Sequence, residues 1–435
     1  MTNSSFQAAT SFNNLSPAKS KLASSILHLT SDDIFSTLNF TDEVVKNIGP
    51  RLAGTRKDHE AAFLLFEEMK KFGDHCHLEK FDIHPDSFLS ILPVLSTSYI
   101  ISSIFLIIGG IFIYLAVIGY LFGAFFTLMQ FVLYEKTFDP FFPKKKGYNV
   151  SAVIEPIKEV KQQIILSGHH DSAFIFNYIE HHPKLYTFRI FFGFLIFGIT
   201  MIFALYWAIF KLFAGYDPSF VSIFRFGVIM GSLVVIQYYF FKNQKGSPGA
   251  GDNLISTVMS MKIGQKFALA KKTGCSPLQH TRLIILSTDG EECGLRGAAA
   301  YVNKHKTELK SIPSFNVNMD SIYRLKELKI MTSDINGTVK LSKKMAEEIQ
   351  EIFASLGYSA SLFPLIFGAG GTDSAEFAKA GIETVNILAV PTEFKDNNVV
   401  YHTSHDTVDQ IESEVVEAIL RLLIEYILKQ EEKVD

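Results

Sequence analysis

Residues 283–298 read LIILSTDGEECGLRGA. The apolar, largely β-branched run Leu283, Ile284, Ile285, Leu286 has the composition of a buried parallel strand. It stops at Thr288-Asp289-Gly290, and two adjacent carboxylates follow, Glu291 and Glu292. Paired acids at the end of a core strand are costly to desolvate unless something cationic meets them. In open α/β sheets, ligands gather at the carboxyl ends of the strands. A lone Glu-Glu is ordinarily two solvated side chains, so the weight of the reading rests on what the remaining strand ends carry.

Strand patterns recur along the chain at Tyr148–Ile154, Gln163–Ser167, Phe315–Met319 and Glu383–Leu388. Helical patterns separate them, at Asn253–Lys271, Ala298–Lys306, Val339–Leu356, Ser374–Ala380 and Glu414–Gln430. This alternation predicts an α/β domain with a mostly parallel central sheet flanked by helices. The 435 residues suffice for a large core. A net charge of −3 gives no ground for a nucleic-acid partner. Three scattered cysteines, Cys76, Cys275 and Cys293, argue against a disulfide framework.

The 40 phenylalanines concentrate in two regions that interrupt the domain. Phe88–Tyr134 contains no charged residue and is long enough for two membrane-spanning helices of about 20 residues, with Gly109-Gly110 as the turn. A second apolar region, 187–241, breaks at Lys211–Pro218, and Arg225 lies where it could reach headgroups. Two transmembrane hairpins are therefore expected, at 88–134 and 187–241, with the lipid bilayer as a partner. Residues 31–87, 135–186 and 242–435 then form the α/β domain. Residues 1–30 read as a disordered leader, with no basic and apolar signal-peptide pattern at Met1–Thr10.

The strand and loop ends carry a recurrent chemistry. Gln163–Ser167 runs into Gly168-His169-His170-Asp171, and Gly249-Ala250-Gly251-Asp252-Asn253 precedes a helix. Asp320 ends another strand, Gly371-Thr372-Asp373-Ser374 opens a helix, and Tyr401-His402-Thr403-Ser404-His405-Asp406 closes the set. Singly, each is a loop histidine or a helix N-cap. Together they supply imidazoles and carboxylates of the kind that suit zinc.

In combination these pieces resemble the M28 family of zinc aminopeptidases: His169-x-Asp171, Asp252-Asn253, Glu291-Glu292-x-Gly-Leu-x-Gly297, Asp320, Thr372-Asp373-Ser374 and Tyr401-His402-Thr403-x-x-Asp406. The turn Gly49–Thr55 also matches. The resemblance implies a zinc-exopeptidase fold holding two zinc ions. His169, Asp252 and Asp320 would bind one ion, and Asp252, Glu292 and His402 the other, so that Asp252 bridges. Glu291 would act as the general base on the nucleophilic water, and Asp171 would orient His169, with Asp373 supporting another ligand. The resemblance also implies a cis peptide at Asp252-Asn253. His170 and His405 fall off the ligand positions, and Asp289 reads as a turn residue.

Two departures stand out. Ser374 occupies a position where the family commonly has His, and the stretch between Asp171 and Asp252, usually short, holds the second hairpin. The active centre should then lie close to a bilayer surface. Lys136, Lys144, Lys145, Lys146, Lys184, Arg189, Lys242 and Lys245 flank the hairpins on the domain side. The positive-inside rule therefore places the domain in the cytoplasm, against which stand the sequons at Asn39, Asn149 and Asn336. The expected function is a membrane-anchored dizinc exopeptidase acting on peptides, an aminopeptidase. A carboxypeptidase, a glutaminyl cyclase and a non-catalytic membrane receptor or scaffold are the alternatives. The sequence leaves the oligomeric state open.

Overall fold

The computed structural model describes residues 15–391 and 399–435. Its centre is a nine-stranded mixed sheet. The strands are β1 (His75–Ile83), β2 (Lys145–Ile154), β3 (Gln162–His169), β6 (Thr281–Thr288), β7 (Ser314–Ile322), β8 (Lys329–Asp334), β9 (Val339–Lys340), β10 (Ser361–Pro364) and β11 (Glu383–Ala389). They lie in the order β1-β2-β6-β3-β7-β11-β8-β10, with β9 on β8. A separate ribbon pairs β4 (Phe174–Phe176) with β5 (Lys242–Gly246). The central strands β6, β3, β7 and β11 run parallel, whereas β1, β2 and β8 join antiparallel at the flanks. The centre is thus as the alternation predicts, and the flanks make the whole sheet mixed.

The parallel strands are buried on both faces, as their continuous apolar runs require. Every residue of β3 is buried, and Leu283, Ile285, Ile164, Leu166 and Val317 share one core with the helices Ile255–Lys272 and Ser413–Glu432. Two findings differ from the sequence expectation. The second half of the proposed leader forms a helix, Pro17–Leu27, whose Ala23 and Leu27 are fully buried in that core. Lys266 secures its end by donating to the Ile26 and His28 carbonyls at 3.0 Å each. Residues 1–14 lie outside the described residues. The expected helix 339–356 starts at Lys343, because Val339 pairs with Asp334 across a short edge strand.

Among the described residues, four helices are long and apolar enough to cross a membrane: Ile91–Ile108, Phe112–Val132, Pro183–Ala214 and Val221–Phe240. They pack as two hairpins around a core of their own that includes Tyr99, Tyr120, Phe197 and Trp207. Their outward residues stay exposed and apolar: Ile118 at 62%, Ile202 at 63% and Leu233 at 67%. Contiguous apolar surface of that extent is what lipid contact requires and water disfavours. Arg225 lies over Trp207 at 5.3 Å and donates to the Leu106 carbonyl at 3.1 Å, beside the Gly109 turn.

Both hairpins root in the sheet domain. At the base of the first, the buried Arg296 contacts Asp139 through Nε at 2.8 Å and Nη2 at 3.1 Å. It also donates to Gln130 Oε1 at 3.3 Å and to the Tyr134 carbonyl at 3.1 Å. Asn336 donates to the Phe131 carbonyl at 2.6 Å. At the base of the second, the Phe176 amide donates to the His402 carbonyl at 2.9 Å.

Candidate metal centre

The loops at the carboxyl end of the parallel strands converge. His169 is the last residue of β3, Asp320 lies near the end of β7, and Glu291 and Glu292 form the turn after β6. Asp252 sits in the tight turn Ala250–Leu254, where its peptide to Asn253 is cis, as the resemblance implies. His402 comes from the loop after β11 with φ +55°, a conformation uncommon for residues other than glycine. The sequence-predicted residues are therefore brought together, and all are buried except Glu291 and Glu292, which are slightly exposed.

The carboxylate of Asp252 stands between the two imidazoles. Its Oδ1 is 3.4 Å from His169 Nε2, and its Oδ2 is 3.0 Å from His402 Nε2. On the first side, His169 Nε2 is also 3.8 Å from Glu291 Oε2 and 3.9 Å from Asp320 Oδ1. On the second, His402 Nε2 is 3.3 Å from Glu292 Oε1. His169 Nε2, Asp252 Oδ2 and Glu292 Oε1 are buried, yet none has a hydrogen-bond partner among the described residues. Buried polar atoms that face one another without bonding are expensive unless an ion lies between them. The donor set of imidazole nitrogens and carboxylate oxygens fits zinc.

The electrostatics make the same demand. Burial drives Glu291 well above the usual carboxylate range; the imidazole of His169 opposes this, and Asp320 and Glu292 add to it. Burial likewise raises Glu292 and Asp320. Burial works against a charge on His402, but Glu292 and Asp252 lift it to about 10. Too few cations for too many buried carboxylates is a site built to receive positive charge.

Surrounding residues hold these groups in place. Asp171 accepts from the amides of Glu291 and Glu292 at 3.2 Å each, and its Oδ1 lies 3.3 Å from His169 Nδ1. It fixes both the imidazole and the Glu-Glu turn. Asp373 accepts from the Thr288 hydroxyl at the end of β6. Asp406 accepts from the Gly251 amide at 2.8 Å and the Asp252 amide at 3.3 Å, pinning the Asp252 turn. Arg51 of the Gly49–Thr55 turn is fully buried, donating to the His170 carbonyl at 2.7 Å and the Gly249 carbonyl at 2.6 Å. It ties the loop after β3 to the turn that carries Asp252. Ser374, the departure from the family pattern, donates to Asp334 Oδ2 at 2.6 Å.

Sequence reading gave no sign of Tyr134. This buried phenol packs against Phe88 at 4.7 Å between centroids. Burial, with Glu291 next, holds its hydroxyl well above the usual range, so that it stays protonated beside the Glu-Glu turn. It lies just past the first hairpin, and only the path of the chain there could have revealed it. His405 stays outside the ligand cluster.

The comparisons with known proteins agree with this geometry. The sequence profile of peptidase family M28 matches residues 235–427. This part of the chain thus carries an M28 peptidase domain. Its fold is similar to that of a Zn-dependent exopeptidase from Parabacteroides distasonis, with 14% identity, 91% of this chain and 97% of that one covered, and a TM-score of 0.52. A zinc aminopeptidase from Bacillus subtilis gives 16% identity, coverage of 93% and 96%, and a TM-score of 0.53. A glutaminyl cyclase from Fimbriiglobus ruber gives 12%, 92% and 96%, and 0.52. At these identities the likeness extends to the fold alone. No curated protein sequence matches the chain.

Proposed function

We propose that this M28 protein is a membrane-anchored dizinc aminopeptidase. The observation that carries the reading is the Asp252 carboxylate, with one oxygen facing His169 and the other facing His402. His169, Asp252 and Asp320 would hold one zinc, and Asp252, Glu292 and His402 the second. Zinc, when bound, supplies Lewis acidity that polarises a carbonyl and makes water a better nucleophile. Glu291 is the residue free to move protons. Its carboxylate is 3.8 Å from His169 Nε2, and its raised pKa suits a group that takes a proton from the attacking water and returns it to the leaving amine. The phenol of Tyr134, kept protonated by burial and by Glu291, would donate to a substrate oxygen. Asp171 holds the Glu-Glu turn and the His169 ring.

The four apolar helices would span the bilayer as two hairpins, leaving the centre at the membrane surface. The excess of lysine and arginine at their roots supports a cytoplasmic domain. Two of the three sequons quoted, at Asn149 and Asn336, are buried and thus poor glycan acceptors in the folded chain. Glutaminyl cyclisation is the rival reading, because cyclases share this fold.

The test is zinc content and turnover measured together on the detergent-purified full chain. Glu291→Gln should keep its zinc and lose turnover of free aminoacyl reporters by ~10²–10⁴-fold, whereas Glu292→Gln should lose zinc. Full activity in Glu291→Gln would refute the assignment. Release of ammonia from N-terminal glutamine, with no release of amino acid, would replace it with the cyclase reading. A requirement for a free carboxyl terminus would make it a carboxypeptidase.

A further inference from the structure

A second buried cluster lies behind the catalytic centre, and the catalytic reading makes no use of it. Asp58 is in the first turn of the helix Arg56–Met69, His170 follows β3, and Asp289 follows β6. All three side chains are fully buried. One donor atom from each lies within 4.8 Å of the other two. His170 Nε2 is 3.7 Å from Asp58 Oδ1.

Each residue spends one polar atom on the scaffold and turns another inward. His170 Nδ1 is hydrogen-bonded to the Ser287 hydroxyl at 2.8 Å. Asp58 Oδ2 accepts from the Gly54 amide at 2.9 Å. Asp289 Oδ2 accepts from the Tyr148 amide at 2.7 Å. The remaining atoms, His170 Nε2, Asp58 Oδ1 and Asp289 Oδ1, are buried and have no hydrogen-bond partner among the described residues. An imidazole with one nitrogen anchored and the other bare is the arrangement that metal-binding histidines adopt. Two ligands at ~2.1 Å from a tetrahedral ion stand ~3.4 Å apart, close to the gap seen here and too long for a direct hydrogen bond. Arg51, a buried cation that acts on Asp58, directs the hydrogen bonds it makes to the backbone carbonyls of Gly49, His170, Pro248 and Gly249. The two carboxylates therefore face each other without a bonded cation.

We propose that Asp58, His170 and Asp289 form a further metal site, distinct from the catalytic pair, that binds a zinc-class divalent cation. One nitrogen and two oxygens suit zinc among the divalent ions, and two carboxylates balance its charge. His170 adjoins the ligand His169, and Asp289 lies two residues before Glu291. The ion pins both ligand loops to the helix that begins at Arg56, and its role is structural.

The experiment counts zinc in the full chain after chelation and reloading with Zn²⁺ alone. Wild type should bind one equivalent more than Asp58→Asn. A Glu292→Gln/Asp320→Asn double variant, which dismantles the catalytic pair, should keep the ion at Asp58, and adding Asp58→Asn should remove it. Equal counts in wild type and folded Asp58→Asn would overturn the site, leaving a proton shared between Asp58 and Asp289 as the occupant. Should Asp58→Asn fail to fold, an empty double variant overturns it instead. If the catalytic reading alone fails, the Glu292 and Asp320 changes leave the count unchanged, while Asp58→Asn still lowers it by one.

Discussion

Replacing Arg296 with methionine probes the joint between the first apolar hairpin and the Glu-Glu turn. The guanidinium grips Asp139 in a two-point contact, with Nε and Nη2 at 2.8 and 3.1 Å, and both side chains are buried. Burial alone would raise the Asp139 carboxyl, but Arg296, Ser87 and Gln130 hold it below its ordinary value. Arg296→Met keeps most of the side-chain volume and leaves Asp139 with only Ser87 and Gln130 as side-chain donors. Removing one partner of a buried pair costs ~3–5 kcal/mol. The turn beside it is held by the Gly294 and Leu295 amides, both donating to the Glu291 carbonyl at 2.8 Å, and by the Arg296 amide, donating to Gly290 at 3.0 Å. Hydrogen exchange at those amides reads opening of the turn directly. At 1.36 kcal/mol per decade, protection should fall by about two to three and a half decades. The double variant Arg296→Met/Asp139→Leu removes the stranded charge and should recover at least half of that loss. A fall of less than tenfold in the single variant, or losses that simply add in the double, would refute the view that a desolvated ion pair fastens the hairpin to the turn.

Three further outcomes are expected. His305 donates to Glu79 at 2.8 Å, which raises the imidazole, while His305 and Lys304 outweigh burial and lower Glu79. The histidine's contribution is full below its unfolded pKa of ~6.5 and fades as pH rises through the higher folded value. That of Glu79 is full above ~4.5 and fades as pH falls. His305→Gln should therefore cost ~0.5 kcal/mol at pH 5.5, discounted for the exposure of the imidazole, and much less at pH 9, read from denaturation midpoints; equal costs would exclude the pair. A Cβ at Gly231 would overlap the Tyr99 hydroxyl, whereas one at Gly227 meets open space. In detergent, Gly231→Val should lose ~1–3 kcal/mol and Gly227→Val should lose little; equal effects would mean these helices do not pack this way. Tyr134→Phe should lower kcat by ~10-fold or more with zinc content unchanged, and an unaltered kcat would remove the hydroxyl from the reaction.

The parallel core was legible because buried strands write themselves as unbroken apolar runs, as in Leu283–Leu286 and Ile164–Leu166. The hairpins were legible for the same reason at greater length. The strands β8 and β10 at one side of the sheet were not, since KIMTSD and SLFP are short, carry polar residues and take their place from neighbours rather than from any pattern of their own. Val339 and Leu341 looked like the first turn of a helix because apolar edge residues and helix residues are alike over four positions. The helix Pro17–Leu27 escaped notice because its Ser- and Lys-rich sequence buries only Ala23 and Leu27, on a surface that residues 255–272 provide. Within the site, the candidate ligand positions came from the resemblance to family M28, whose motifs occur in order along the chain. Tyr134, Arg51 and the Asp58 cluster depend on approaches between segments distant in sequence, which no local pattern carries.

The pairing of β1 with β2 spans the first hairpin, and that of β3 with β6 spans the second. Neither pair can form until the intervening helices have left the ribosome, so the sheet assembles late in synthesis. Once each hairpin has folded back on itself, its exit lies beside its entry. The effective loop between partner strands is then much shorter than the chain between them, and its closure costs correspondingly less entropy. The apolar helices thus act as clasps in the folding order, and the Glu-Glu turn comes together only after both have closed.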